Sequence, residues 1–441
     1  MQAKQLASTA TRMADHTPSS AQPATTSPPA RLGLLARFGP GMLVAATGVG
    51  AGDLLTASLG GSSVGVSILW AAVVGSVLKG FLNEGVARWQ LATGTTVLEG
   101  WARFGAGLRY LFFIYLLGWS FFTGGALISA CGAAGDALWP LSADHETSRR
   151  IWGVLHSLVG LGLVWFGGFR LFEKLMAACT GLMFVAVLFT SVASGPDWGA
   201  AARGIVIPSI PQGGAGWVLG LLGGVGGTVT MLSYGYWIRQ KGREGAQWLR
   251  TCQADRAVGY TLTALFGMAM VLIGSTLRLE GSGLKVANLL AERLGEVIGP
   301  VGYWLFLWGF WGAVFSSLLG VWEGVPYLFA DFLRIHRKQP VSQVDLRTTR
   351  AWRGYLVALA LVPLPMLWAP LQRAQLAYAV IGALFMPLLA ATLLWMNNRR
   401  EWVGTLRSNW LVNAALVATL LLFLGVGLDE ALEALRKLRG P

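Results

Sequence analysis

The chain has 441 residues, 54% of them hydrophobic and only 12% charged, with a mean hydropathy of +0.56. Soluble domains carry about 25% charged residues, so a water-soluble fold of this length is excluded. The net charge of +13 does not point to nucleic acid, because the basic residues fall in short segments between apolar runs.

Residues 1–30 are rich in Ser, Thr, Ala and Pro, and 1–36 reads as a disordered cytoplasmic tail. Arg31 and Arg37 precede the first apolar run with no small-residue cleavage pattern after them, so the first helix is expected to be retained. A membrane span needs roughly 20 apolar residues. On that scale eleven candidates follow in order: 40–64, 67–92, 110–136, 151–168, 174–194, 215–238, 257–277, 298–331, 354–371, 375–396 and 409–428. The eighth is long enough to tilt or to include a lead-in helix. The domain plan is thus one transmembrane unit over 37–430 and a short tail over 431–441. With the N-terminus inside, roughly two thirds of the 34 Lys and Arg fall in cytoplasmic segments, as the positive-inside rule requires. An odd span number then puts the C-terminus outside, although Arg436, Lys437 and Arg439 run against the charge bias. The expected location is the plasma (inner) membrane, with the lipid bilayer as partner.

Two spans are interrupted alike. The first contains Ala46-Thr47-Gly48-Val49-Gly50-Ala51-Gly52-Asp53, and the sixth contains Gly223-Gly224-Val225-Gly226-Gly227-Thr228-Val229-Thr230. They lie five spans apart. Glycine-broken helices at matching positions in two halves mark a transporter's substrate site, because an unwound helix frees backbone groups that hydrocarbon leaves unsatisfied. The alternative is close glycine packing between helices. Asp53 follows the first break, and an ionisable group at that depth is expensive and usually functional. Its alternative role is an N-cap on the second half-helix. The substrate-binding set read from the two breaks is Gly50, Ala51, Gly52, Asp53, Gly227, Thr230, Met231 and Ser233, with Asp53 and Thr230 as metal ligands.

Other polar groups within the spans are less specific. Glu84, Glu323 and Asp331 are candidates for a proton or ion pathway. Lys79 lies alone within the second span, Glu173 and Lys174 read as a solvated loop edge, and His156 reads as a packed, satisfied histidine. Ser316 and Ser317 are expected to bond backbone carbonyls. Cys131, Cys179 and Cys252 lack metal or disulfide spacing and read as small buried hydrophobes. No nucleotide-binding, Ser/His/Asp or metalloprotease motif occurs, so neither an ATP-driven pump nor an enzyme is indicated, and no cofactor is expected.

The sequence resembles the Nramp family of divalent-metal transporters, weakly but in order over 37–430. Phe38-Gly39-Pro40-Gly41-Met42 is similar to the approach to that family's helix 1, and Gly168-Phe169-Arg170-Leu171-Phe172-Glu173-Lys174 to the start of its helix 5. Gly227-Thr228-Val229 resembles its approach to helix 6. Met386-Pro387-Leu388-Leu389 with Met396-Asn397-Asn398-Arg399-Arg400 resembles helix 10 and its exit. The resemblance implies an all-α, LeuT-type inverted repeat of five plus five helices with one added, and discontinuous helices 1 and 6. The family's helix 1 Asp-Pro-Gly-Asn reads Gly50-Ala51-Gly52-Asp53 here, so one ligand is lost and Asp53 replaces the Asn. Its helix 6 Met-Pro-His aligns with Thr230-Met231-Leu232; a one-residue slip restores Met231 as a ligand, but the His is absent either way. The family's helix 3 carboxylates have no match within 110–130.

The reading is a secondary transporter of a divalent cation such as Mg²⁺ or Mn²⁺, with a site of Asp53, Thr230 and freed carbonyls suited to a hard ion. The alternatives are a carrier of a small organic solute such as an amino acid, or a non-transporting sensor or scaffold that kept the fold.

Overall fold

The computed structural model describes residues 34–224, 226–276, 283–339 and 345–439; of the predicted tail 1–36, residues 1–33 lie outside the described residues and 34–36 are helical. Every regular element among the described residues is helical. The first span is split into α1 (Leu34–Gly48) and α2 (Ala51–Val64). The second is α3 (Leu69–Thr93), stopped by Gly94 at φ 65°, a left-handed C-cap that glycine adopts without steric cost. A short α4 (Val97–Ala102) opens with a capping box: Thr96 Oγ1 accepts from Glu99 N, and the Glu99 carboxylate accepts from Thr96 N. The third span is α5 (Ala106–Leu138).

The fourth and fifth spans, expected to be joined by a loop, are two helices that meet at a kink without a loop between them, in a helical run of 49 residues, α6 (His145–Ala193). At 1.5 Å per residue this is about 74 Å, more than twice the hydrocarbon thickness of a bilayer. Gly168 (φ 67°, ψ 166°) is the one non-helical residue in it and divides it into two span-length parts. Glu173 is therefore helical, and it is not solvated as expected but pairs with Lys241 at 2.6 Å. Asp144 caps the start of α6. The Thr147 hydroxyl and the Glu146 amide bonded to its carboxylate hold the Asp144 carboxyl below its ordinary range.

After α7 (Trp198–Val206), the sixth span is split into α8 (Ala215–Gly224) and α9 (Ser233–Gln240), with a 3-10 turn over Val229–Leu232. The seventh is α10 (Leu249–Ser275). The eighth is a single helix, α12 (Pro300–His336), and the helix that leads into it, α11 (Gly283–Ile298), lies before the expected run of 298–331 and is separated from α12 by Gly299 at φ 76°. The ninth is α13 (Arg350–Leu361) with a 3-10 extension over Leu364–Trp368. The tenth, expected to be continuous, is α14 (Leu371–Ala383) and α15 (Phe385–Met396). Pro387 has no amide hydrogen and its ring crowds the carbonyl four residues back, that of Ala383, where α14 ends. A short α16 (Arg400–Val403) precedes α17, which runs over Trp410–Arg439, past the boundary expected at 430.

Among the described residues, seven helices are long and apolar enough to cross a membrane, or eight counting one bent pair. The eleven spans read from hydropathy exceed this because the kinked α6 counts once, the broken first span supplies only short helices, and the apolar part of α17, Trp410–Gly425, is shorter than a full span. Large apolar side chains such as Ile114, Phe166, Val192 and Trp304 cover the outward faces, on a scale that soluble monomers avoid. Cys131, Cys179 and Cys252 are free and buried, as expected.

The helix that carries the broken first span is α10. A Cβ on Gly41 would collide with the Asp255 carbonyl oxygen, and one on Gly259 with that of Gly41. Gly61 meets Val271 O and Gly274 meets Ser58 O in the same way. Backbone thus lies on backbone along both α1 and α2, the close approach that small residues permit. Gly61→Val is expected to destabilise the protein by about 1–3 kcal/mol, read as a lowered melting temperature in detergent.

Candidate functional site

The two breaks meet. After α8 the chain turns through Gly226 (φ 96°) and Gly227 (φ 80°), conformations that cost little only for glycine. A Cβ on Gly48 would stand 2.6 Å from the Gly226 carbonyl carbon and 2.8 Å from Gly227 N, so the end of α1 rests on the turn that follows α8. Thr228, beyond the turn, is held from α5, where Trp119 Nε1 donates to its Oγ1 at 3.0 Å.

The freed carbonyls are supplied with donors from neighbouring helices, as hydrocarbon depth demands. Ser317 Oγ on α12 reaches Val49 O at 2.9 Å and Ala46 O at 3.2 Å, and Ser316 Oγ reaches Ala46 O at 3.2 Å. This is the role expected of both serines. At the other break the donor is charged: Lys79 Nζ, on α3, donates to Gly223 O at 2.5 Å.

Among the described residues, buried hydroxyls without a hydrogen-bond partner include Thr47 and Ser233 at the breaks, and Thr123 one turn beyond Trp119 on α5. Buried hydroxyls are normally satisfied. Two of them face a glycine pair one turn apart on α12. A Cβ on Gly320 would collide with Thr47 Oγ1, and one on Gly324 with Ser233 Oγ. Sequence reasoning named Ser233 but not Thr47 or Thr123; the Gly320/Gly324 spacing opposite the break is the signal that points to Thr47.

Gly50 lies beside Ser317, its Cβ position 2.9 Å from Oγ. Gly227 lies beside Thr230, 2.9 Å from its Oγ1. Ala51, Gly52 and Asp53 are the first three residues of α2, and their side chains lie outside the described residues. Asp53 is thus in the first turn of α2, where the helix dipole favours a carboxylate. Met231 is buried in the hydrophobic core. Among the described residues no group of three or more His, Cys, Asp or Glu is arranged to hold a metal.

The carboxylates Glu84, Glu323 and Asp331 are not brought to the breaks. Glu84 pairs with Arg88 at 2.7 Å and Arg256 at 2.9 Å, and Glu323 with Arg347 at 2.8 Å. Asp331 accepts from Thr96 (2.6 Å) and Tyr236 (2.8 Å) and pairs with Arg334, which reaches on to Glu99. A further carboxylate, Asp255 on α10, went unnoticed in the sequence. It accepts from Gly41 N of α1 at 2.8 Å, from Tyr234 of α9 at 3.1 Å and from Arg243 at 3.1 Å. Burial works against the charge on Arg243, but Asp255 holds its guanidinium above the ordinary value. His156 is satisfied at both nitrogens: Nε2 accepts from Trp311 Nε1 at 2.8 Å, which leaves Nδ1 to donate to Trp152 O at 2.7 Å.

The family model described as natural resistance-associated macrophage protein-like (Nramp) matches residues 41–429. Among solved structures, a mutant of the manganese transporter of Eremococcus coleocola superimposes with a TM-score of 0.73 at 18% identity, covering 90% of this chain and 86% of that one. Mhp1, a nucleobase-cation-symport-1 family transporter, gives 0.57 at 15% identity over 88% and 91%. MhsT, solved with L-phenylalanine, gives 0.55 at 15% identity over 87% and 98%. At these identities the likeness is one of fold, the LeuT-type inverted repeat with broken helices 1 and 6. No curated protein matches the sequence.

Proposed function

The chain belongs to the natural resistance-associated macrophage protein-like (Nramp) family, and on that premise we propose that it is a secondary transporter moving a divalent metal cation by alternating access. The observation that carries this reading is the contact of the two helix breaks at Gly48, Gly226 and Gly227, which gathers backbone carbonyls and unpartnered hydroxyls at one point. Asp53 and Thr230 act as ligands, and Gly50, Ala51, Gly52, Gly227 and Ser233 line the site. Manganese is the cargo in the name of the Eremococcus coleocola relative, and an oxygen-only site accepts Mn²⁺ and Mg²⁺ alike. The seat of Met231 in the core favours this over a soft thioether site.

Purified protein in liposomes tests the reading. Mn²⁺ uptake should be inhibited by Mg²⁺ or Ca²⁺ at comparable concentration, with no advantage for Cd²⁺. A strong Cd²⁺ preference would reinstate Met231 as a ligand, and absence of any divalent flux would sink the assignment.

The protein lies in the plasma membrane with its N-terminus inside. That orientation puts Glu84, Glu323 and Asp331, with the arginines they bind, in the cytoplasmic halves of their helices. A tag at the N-terminus should be protected from external labelling and one after Arg439 accessible; both on one side would remove this topology.

A further inference from the structure

Basic residues from two separate connections converge on one indole. Arg103 ends α4, between the second and third spans, and Arg399 precedes α16, between the tenth and eleventh. The guanidinium carbon of Arg103 lies 4.9 Å from the ring centroid of Trp402, and that of Arg399 lies 5.5 Å from it. Arg103 also stands over Trp89 at 5.3 Å, and Arg399 over Trp395 at 3.7 Å. Among the described residues neither arginine forms an ion pair, and nor does Glu401, the one carboxylate of α16. Two exposed positive charges are thus gathered by rings, against their mutual repulsion. A guanidinium stacked on a ring keeps its in-plane N–H donors free, and their fork matches the oxygens of a phosphate.

The platform is tied to the bundle. Asn398 and Asn413 exchange side-chain hydrogen bonds at 2.9 Å, which joins it to α17. Asn397 donates to Gly85 O at 2.9 Å, and Arg88 donates to Leu406 O at 3.2 Å, which joins it to α3. The stretch Arg400–Leu406 runs at 81° to the helix that ends at Met396. Where that helix crosses the bilayer, the stretch lies along the surface. Trp395 and Phe104 are 40% and 37% exposed, with ring centroids 4.3 Å apart. Exposed aromatics at a span end mark the headgroup level, and basic pockets between helices on the cytoplasmic side take anionic headgroups.

We propose that Arg103 and Arg399, on this aromatic platform, bind the phosphate of an anionic phospholipid in the cytoplasmic leaflet. The choice of leaflet rests on the orientation proposed above, whereas the phosphate site does not.

The test is the melting temperature of the purified full-length protein in non-ionic detergent, titrated with phosphatidylglycerol or with zwitterionic phosphatidylcholine. Phosphatidylglycerol should raise it saturably, by about 3 °C or more, and phosphatidylcholine should not. Arg103→Gln with Arg399→Gln should need about thirtyfold more phosphatidylglycerol for half the effect, the loss expected for two basic residues at a headgroup. Arg337→Gln with Arg350→Gln removes the same charge from exposed positions in another cytoplasmic connection, and should titrate like the wild type. Arg399→Gln alone, with about a fivefold loss, replaces the first pair should that fail to fold. A wild type that responds equally to both lipids overturns the proposal, as does an equal loss in the two double variants, which would make the attraction diffuse. Sodium phosphate should do no more than sodium chloride of equal ionic strength; saturable stabilisation by it would make the ligand a soluble phosphate and overturn the lipid assignment. A reversed topology would move the site to the outer leaflet and leave the lipid titration standing.

Discussion

Asp53→Asn protein is expected to fold, insert and melt close to the wild type, yet to take up Mn²⁺ at least about a hundredfold more slowly. Two decades correspond to roughly 2.7 kcal/mol, the size of one hydrogen bond to a charged group. Asp53 is the third residue of α2, where the helix dipole contributes about 0.3–1 kcal/mol to a carboxylate. Asparagine gives up that small amount while retaining the side chain's shape, so stability and transport should separate. Initial-rate uptake in liposomes, paired with a melting curve, reads both. Uptake at the wild-type rate would remove Asp53 from the ligand set.

The second large effect is expected at Asp255, and it falls on stability. This carboxylate receives Gly41 N, Tyr234 and Arg243 at once, and so fastens α1 and α9, one half of each broken span, to α10. Asp255→Ala takes a charge partner from the buried Arg243, and breaking such a pair costs about 3–5 kcal/mol. Removing the charge as well, in Asp255→Ala with Arg243→Met, should recover part of the loss. Melting curves of the single and double variants decide the matter. A single variant that melts like the wild type would show that the pair contributes nothing.

The parts of this architecture that were legible in the sequence are those written in local chemistry. Gly48 and Gly50, and Gly223 to Gly227, announce the breaks because glycine clusters weaken a helix wherever it packs. The serine pair on α12 announces its carbonyl bonds because a hydroxyl in an apolar run has little else to bond. Partners that depend on distant chain segments were not legible. Asp255 finds Gly41 across 214 positions, and Lys79 finds Gly223 across 144; no periodicity in either helix names the partner. The break after Ala383 was signalled by Pro387 but hidden by the apolar run around it. The merging of the fourth and fifth spans was hidden because the turn is one residue, Gly168, and no polar loop is needed to make it.

A charge on a covalent tether does not cross the membrane. Lys79 travels with α3 and not with the cargo, so if the divalent ion is the only mobile charge, each cycle carries two elementary charges through the electric field. At a membrane potential of ~100 mV this supplies about 4.6 kcal/mol, enough to sustain an accumulation ratio of roughly three decades. Such a carrier runs on voltage. Collapsing the potential with valinomycin and potassium would halt accumulation.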